Sequence, residues 1–284
     1  MDNENQDVDD SMGLFEAAFQ ARHVDLKIPT ISSILMLHDD SDQTDTVTRL
    51  AGIAAKKFGA EITEIASPAL GMDAAEKVNY ILKEAVGADL IVMPAPFGED
   101  IGSLKTESLS SVVDLILAES QVPILIARNA IESVENVLEN PVILLDWHER
   151  FQGIAASYGC LFAGATGEVE LISTIDPATM SEMEALLGND EDDMATFKRL
   201  IGRAETRLSG GIVAAVQKLG TTQGFDSRFE VQKGRESSKE CADRTVEKDG
   251  FSVCSYLARI QSPSLNRIRD LILNSSQPVL CLPI

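Results

Sequence analysis

The two halves of this sequence end in the same way, and this repetition limits the folds that the chain can adopt. Residues 122–128 read Val-Pro-Ile-Leu-Ile-Ala-Arg and residues 277–283 read Gln-Pro-Val-Leu-Cys-Leu-Pro. Each run follows an amphipathic stretch, and earlier apolar runs occupy comparable places in the two halves. These earlier runs are residues 34–39 and 88–93 in the first half and 142–147 and 251–256 in the second. We interpret the chain as two copies of one α/β unit.

Strand-like and helix-like patterns alternate along both units. The strands are almost continuously apolar, which is typical of a parallel sheet covered by helices on both faces. We predict four strands in the first unit, residues 31–130, with a last helix at about 106–119. We predict five strands in the second unit, residues 139–284, with a long helical insertion at residues 178–219. The first unit therefore lacks one helix–strand pair, and the fold class is α/β and Rossmann-like.

The first 30 residues form a separate, acidic segment in this interpretation. Their acidic start predicts a solvated tail. Within the segment, Phe15, Ala18 and Phe19 recur at helical spacing. This short amphipathic helix either packs on its own chain or recruits a partner.

Composition excludes several classes of function. The net charge is -21, with 45 acidic against 24 basic residues, and such a chain repels nucleic acid and anionic lipid surfaces. We find no apolar stretch that would cross a bilayer and no basic, apolar leader, so we expect a cytoplasmic protein without membrane insertion. The four cysteines suit reduced core thiols. The three histidines are too scattered for a metal site.

The order of elements resembles the universal stress protein family in its tandem form, with two domains in one chain. Residues 34–41, Ile-Leu-Met-Leu-His-Asp-Asp-Ser, are similar to the family's opening strand, and residues 87–93, Gly-Ala-Asp-Leu-Ile-Val-Met, are similar to its fourth strand. Residues 123–126 and 278–280 resemble its fifth strand. The resemblance covers residues 31–284 and implies two adenine nucleotide alpha hydrolase-like domains. It also implies pairing of the last strands, as an internal pseudo-dimer or in a homodimer.

The glycine-rich loop that holds ATP in family members is changed in both units. That loop has Gly, two residues, Gly, nine residues, then Gly and Ser or Thr, and its glycines let backbone N–H groups approach phosphates. In the first unit Pro94 stands at the first glycine, Gly98 and Gly102 have the wrong spacing, and Ser110 and Ser111 replace the closing pair. In the second unit residues 256–266 contain no glycine. We therefore expect degenerate nucleotide-binding sites.

Two aspartates match the family's residue on the adenine side. Asp39 and Asp146 each follow an opening strand, and open α/β sheets bind ligands at the carboxyl ends of their strands. Asp39 can instead be a turn or helix-cap residue, and this is the interpretation that we favour. His38 and His148 lie nearby, but without a paired acid or nucleophile we interpret both as structural.

The sequence therefore predicts a non-enzymatic regulatory or scaffold protein of the stress response, without a catalytic residue or a required cofactor, and with protein partners. Two alternatives remain open. One is a sensor of ATP, AMP or another small ligand, or a weak nucleotide hydrolase, with a loop rearranged around Gly98 and Gly102. The other is a subunit of a larger assembly.

Overall fold

The computed structural model describes residues 24–66, 72–98, 109–145, 149–175, 209–233, 237–260 and 262–284. The first unit contains four strands in the described part of the chain. They are β1 (Ser33–His38), β2 (Glu61–Ala66), β3 (Leu90–Pro94) and β4 (Ile124–Ala127). Its helices are α1 (Thr44–Phe58), α2 (Ala74–Glu84) and α3 (Ser111–Glu119).

The second unit contains five described strands and follows a short 3-10 turn at Val137–Glu139. The strands are β5 (Pro141–Leu145), β6 (Glu168–Ile175), β7 (Asp226–Lys233), β8 (Phe251–Tyr256) and β9 (Val279–Pro283). The helices are α4 (Glu149–Ala163), α5 (209–223), α6 (Ser237–Glu247) and α7 (Pro263–Asn274). Of the predicted insertion at residues 178–219, only the part from residue 209 lies among the described residues, and it is helical.

All nine of these strands form one sheet, in the order β2-β1-β3-β4-β9-β8-β5-β6-β7. Every neighbouring pair is parallel except β4 and β9, which are antiparallel, with Leu125 opposite Leu280. The last strands of the two units are thus joined inside one chain. The second unit repeats the order of the first and adds β7 at its outer edge. The predicted α/β fold with a sheet between helical layers is confirmed.

Two apolar layers cover the sheet. Helices α2, α3, α6 and α7 pack on one face, through residues such as Ile81, Ile116 and Leu271. Helices α1, α4 and α5 pack on the other face, through residues such as Leu50 and Phe162. Because both faces are covered, the central strands are apolar on both sides, which explains their continuous hydrophobic runs.

The final segment of the predicted N-terminal tail packs on the sheet rather than extending into solvent. Val24, Leu26 and Ile28 are partly buried and Ile31 is buried, all against the face covered by α1. The alternation of these apolar side chains with exposed ones explains the packing, since an extended segment turns every second side chain to the same side. The predicted short helix with Phe15 lies outside the described residues.

The repeat extends to individual hydrogen bonds. Ser120 and Ser275 are the residues that directly follow helices α3 and α7. In each case a proline lies three residues further along the chain. The hydroxyl of Ser120 donates to the carbonyl of Val122 (2.9 Å) and accepts from its N–H (3.0 Å). The hydroxyl of Ser275 makes the same two bonds to Gln277, at 2.8 and 3.2 Å. The same turn therefore leads into the last strand of each unit.

The two units also contact each other through side chains on the face covered by α3 and α7. The Tyr256 hydroxyl, from β8, donates to the carbonyl of Leu117 in α3 at 2.7 Å. Arg269 of α7 pairs with Asp114 of α3 at 2.9 Å. These bonds join the units beyond the pairing of β4 with β9.

Candidate functional site

The candidate ligand crevice of each unit lies where the strand order reverses. In the first unit this point is between β1 and β3, and in the second it is between β5 and β8. Open parallel sheets bind ligands there because the loops from the carboxyl ends of the strands diverge and leave room between them. In the first unit, the structure brings Asp39, which follows β1, to the same edge as the turn after β3. Asp146, His148 and Gly102 lie outside the described residues.

Asp39 is held in the turn between β1 and α1. Its Oδ1 accepts a hydrogen bond from the N–H of Ser41 at 3.0 Å, and its carbonyl accepts one from the Thr44 hydroxyl at 2.5 Å. Thr44 is the first residue of α1. These contacts are those of a turn aspartate that shapes the start of a helix. The adjacent His38 is the last residue of β1 and is half-buried.

The described residues of the turn after β3, from Pro94 to Phe97, have few backbone donors left for a phosphate. Pro94 and Pro96 have no N–H. The N–H of Ala95 donates to the carbonyl of Ala127 at 3.0 Å, and the N–H of Phe97 lies 3.4 Å from the hydroxyl of Ser110. Phe97 is fully buried. The sequence analysis noted Pro94 but missed Phe97, whose role depends on a contact with a residue thirteen positions away.

Ser110 closes this turn onto the start of α3. Its hydroxyl donates to the carbonyl of Phe97 at 3.0 Å and accepts from the N–H of Val113 at 3.3 Å, and the residue is fully buried. Its φ is +84°, a conformation that favours glycine. Ser110 stands where the resemblance has a glycine, so a serine adopts the glycine-like backbone and adds a hydroxyl. We predicted the helix from about residue 106, and it begins at Ser111 because Ser110 caps it.

The other predicted residues of the first turn lie at its surface. Gly98 has a φ of +71°, and its carbonyl accepts a hydrogen bond from Nζ of Lys77 at 2.5 Å. Ser111, the first residue of α3, is exposed. Lys77 was not predicted, and it is a cation that lies beside this turn in the described part of the chain. No local pattern marks it, because it belongs to α2 and is brought there by packing.

The turn of the second unit is short and is closed by its own hydrogen bonds. It connects β8 at Tyr256 to α7 at Pro263. The N–H of Leu257 donates to the Ser264 hydroxyl (3.0 Å), that of Arg259 to the carbonyl of Leu257 (2.8 Å), and that of Ser262 to the carbonyl of Arg259 (3.1 Å). These backbone donors are therefore already used inside the turn.

Ser262 performs in the second unit what Ser110 performs in the first. Its hydroxyl donates to the carbonyl of Leu257 at 2.9 Å and accepts from the N–H of Leu265, the third residue of α7, at 3.1 Å. A serine before a proline is a known helix-start pattern, so the pair at 262 and 263 was a signal that sequence reasoning missed. In both units a buried capping serine thus ties the helix start to the turn after the penultimate strand.

The chemistry available in the described part of the chain is limited. All four cysteines are buried and none forms a disulfide, and burial raises the pKa of the Cys160 and Cys241 thiols to about 12. No cluster of three or more His, Cys, Asp or Glu side chains with the arrangement of a metal site occurs among the residues that the structure describes. None of the described helices combines the length and apolar character needed to cross a bilayer.

A groove of about 210 Å³ lies between the last helices of the two units. Sequence reasoning missed it because its walls come from both units. Arg269 and Asp114 pair at its side. The lining residues are Asp114, Leu115, Ala118, Ile260, Leu265, Asn266 and Arg269.

Comparison with known proteins shows the fold. No protein-family model matches the sequence, and no curated protein matches it. Among solved structures, a universal stress protein from Archaeoglobus fulgidus DSM 4304 is similar with a TM-score of 0.58 and 15% identity, over 91% of this chain and 98% of that one. A functionally unknown protein, PA1789 from Pseudomonas aeruginosa PAO1, is similar with a TM-score of 0.53 and 15% identity, over 89% and 92% of the two chains. The chain therefore has a universal stress protein-like fold.

Proposed function

We propose that this chain is a universal stress protein-like regulatory or scaffold protein that acts through its surfaces and does not hold ATP in the usual way. The main support for the proposal is that a capping serine closes the turn after β3 and another closes the turn after β8. The hydroxyls of Ser110 and Ser262 bond to the carbonyls of Phe97 and Leu257. Polyphosphate binding at such turns relies on backbone N–H groups that point outward.

The donor inventory supports this proposal in each unit. In the first turn, two of the four positions from Pro94 to Phe97 are prolines, and the other two N–H groups have protein acceptors. In the second turn, the N–H groups of Leu257, Arg259 and Ser262 have protein acceptors. A phosphate entering either turn would have to displace these bonds, and each buried group left without a partner costs about 1–3 kcal/mol. The fold would then serve as a shape that presents surfaces to protein partners.

A thermal unfolding scan of the full chain against ATP, AMP and their magnesium complexes tests the proposal. A ligand that binds the native state raises the melting temperature by mass action. We expect no shift with any of these nucleotides at millimolar concentration. A rise in melting temperature with ATP that disappears in Asp39→Ala or Asp146→Ala would contradict the proposal. It would favour the sensor or the weak hydrolase.

One observation favours that second candidate function. Lys77 donates to the carbonyl of Gly98 beside the first residues of α3, which places a cation near a helix N-terminus. A phosphate could exchange with the Gly98 carbonyl as the partner of Lys77. If the second candidate is right, Lys77→Met abolishes the nucleotide-dependent rise in melting temperature, and the exposed Lys83→Met, on the same helix, leaves it unchanged.

The third interpretation, a subunit of a larger assembly, is tested separately. Affinity capture is compared for the full chain and for a chain without residues 1–28. A stable complex that depends on these residues would support an assembly role for the N-terminal segment. Capture of the same partner by both chains would place the contact on the folded units instead.

A further inference from the structure

A buried glutamate without a hydrogen-bond partner lies beneath α6 in the second unit. Glu170, on β6, has 1% of its surface exposed, and neither carboxylate oxygen has a hydrogen-bond partner. Its Oε1 lies 4.0 Å from Nε of Arg244, which is too long for a hydrogen bond. An ionised carboxylate in such a place loses its hydration and gains little in return.

Arg244, on α6, is shared among several carboxylates. It lies 2.8 Å from Glu230 on β7, 3.3 Å from Glu240 and 3.3 Å from Glu247. Its Nε points to Glu240, and its two terminal nitrogens point to the other two glutamates. Glu170 is therefore the fourth and most distant acid around one cation.

The other charged side chains near Glu170 do not supply the hydrogen bonds that its carboxylate lacks. Glu168, on the same strand, accepts from Nζ of Lys248 with both carboxylate oxygens at 2.8 Å. Arg228, on β7, lies 3.7 Å from Glu230. On the inner side, Glu170 is level with the apolar Val142 of β5.

Among the described residues, five carboxylates face three cations between α6 and the outer strands. The buried thiol of Cys241 on α6 also faces this group, and Glu170 and Glu240 push it further towards its neutral form. Burial raises the pKa of Glu170, although Arg244, Lys248 and Arg228 oppose that rise. Glu170 is the most buried of these five acids, so its burial favours the protonated form most.

We propose that Glu170 is the proton-binding element of a pH-sensitive latch that holds α6 against β6. When Glu170 is protonated, α6 packs over a neutral side chain. When Glu170 ionises, an unsolvated charge lies between α6 and the sheet. The flank formed by α6 then separates from the sheet more often. The inference does not depend on the nucleotide question.

The sign of the pH dependence follows from linkage. In the opened flank Glu170 has the ordinary pKa of about 4.3, and in the closed flank its pKa is higher. The contribution of Glu170 to closure is therefore complete below about pH 4.3 and is lost as the pH rises through the higher pKa of the closed form.

Hydrogen–deuterium exchange of the full chain between pH 4 and 9, a range that begins below the ordinary pKa of a glutamate, tests the latch. The amides of α6 are compared in the unchanged protein and in Glu170→Gln at the same pH, so that the intrinsic exchange rates cancel. We expect Glu170→Gln to exchange more slowly, with a ratio that grows with pH to about tenfold, equivalent to about 1.4 kcal/mol, and then levels off.

The control is Glu64→Gln, on β2 at the other end of the sheet. Glu64 is exposed and lies outside the carboxylate group around Arg244, so its exchange ratio should not grow with pH. A ratio for Glu170→Gln that is independent of pH, or faster exchange of this variant throughout the range, would overturn the proposal. If Glu170→Gln does not fold, a carbon-13 NMR titration of the unchanged protein decides: a Glu170 carboxyl that titrates at or below about pH 4.3 refutes the latch.

Discussion

Ser110 offers a direct way to measure the energy that closes the first turn. The residue combines an unfavourable backbone conformation, φ +84°, with a buried hydroxyl that bonds to the Phe97 carbonyl and to the Val113 N–H. Ser110→Ala removes the hydroxyl and keeps the backbone strain. Ser110→Gly removes the same hydroxyl and also relieves the strain, so the two variants separate the two effects.

The expected magnitudes follow from these contacts. Loss of a capping side chain costs about 0.5–2 kcal/mol. The buried groups of Phe97 that lose their partner add about 1–3 kcal/mol. We therefore expect Ser110→Ala to lower the free energy of unfolding by about 1.5–5 kcal/mol. Relief of a non-glycine residue at this φ returns about 1–3 kcal/mol, so Ser110→Gly should be more stable than Ser110→Ala by that amount.

Urea denaturation, followed by circular dichroism and by tryptophan fluorescence, measures both variants. The exposed Thr48→Ala, on α1, serves as the control and should change the free energy of unfolding by less than about 1 kcal/mol. Equal stabilities of Ser110→Ala and Ser110→Gly would show that the backbone is not strained. An effect of Ser110→Ala no larger than that of the control would show that the hydroxyl does not hold the turn closed.

The remaining predictions concern the contact between the units and the thiols. Tyr256→Phe should lower the free energy of unfolding by about 1–3 kcal/mol, because the buried Leu117 carbonyl loses its donor. Tyr80→Phe, at an exposed position, should change it little in the same denaturation experiment. Cys160 and Cys241 should resist alkylation by iodoacetamide at pH 8 in the folded chain, since burial raises the pKa of both thiols to about 12, and should react fully in denaturant. Rapid alkylation without denaturant would contradict their burial.

The sequence predicted most of the fold because the strands are buried on both faces. Continuous apolar runs mark such strands, and the runs at residues 88–93 and 251–256 correspond to β3 and β8 in the structure. The pairing of β4 with β9 is present, as the resemblance implied. The prediction was less accurate at the start of α3, where the capping hydroxyl of Ser110 decides the first helical residue.

The site was less predictable because its closure depends on contacts between residues far apart in the chain. Missing glycines were visible in the sequence, but the bond between Ser110 and Phe97 was not. Ser262 escaped notice although the following proline marks a helix start. Glu170 looked like an ordinary strand residue, and its lack of partners depends on how α6 packs over β6. Side-chain partners of this kind follow from tertiary packing and leave little trace in periodicity.

The central proposal is that the turns after β3 and β8 do not hold a polyphosphate. Isothermal titration of the full chain with ATP and magnesium, up to millimolar concentration, tests this claim most directly. The account predicts no saturable heat in the unchanged protein or in Asp39→Ala. Saturable binding of one or two ATP molecules per chain, weakened by Asp39→Ala or Asp146→Ala, would contradict it.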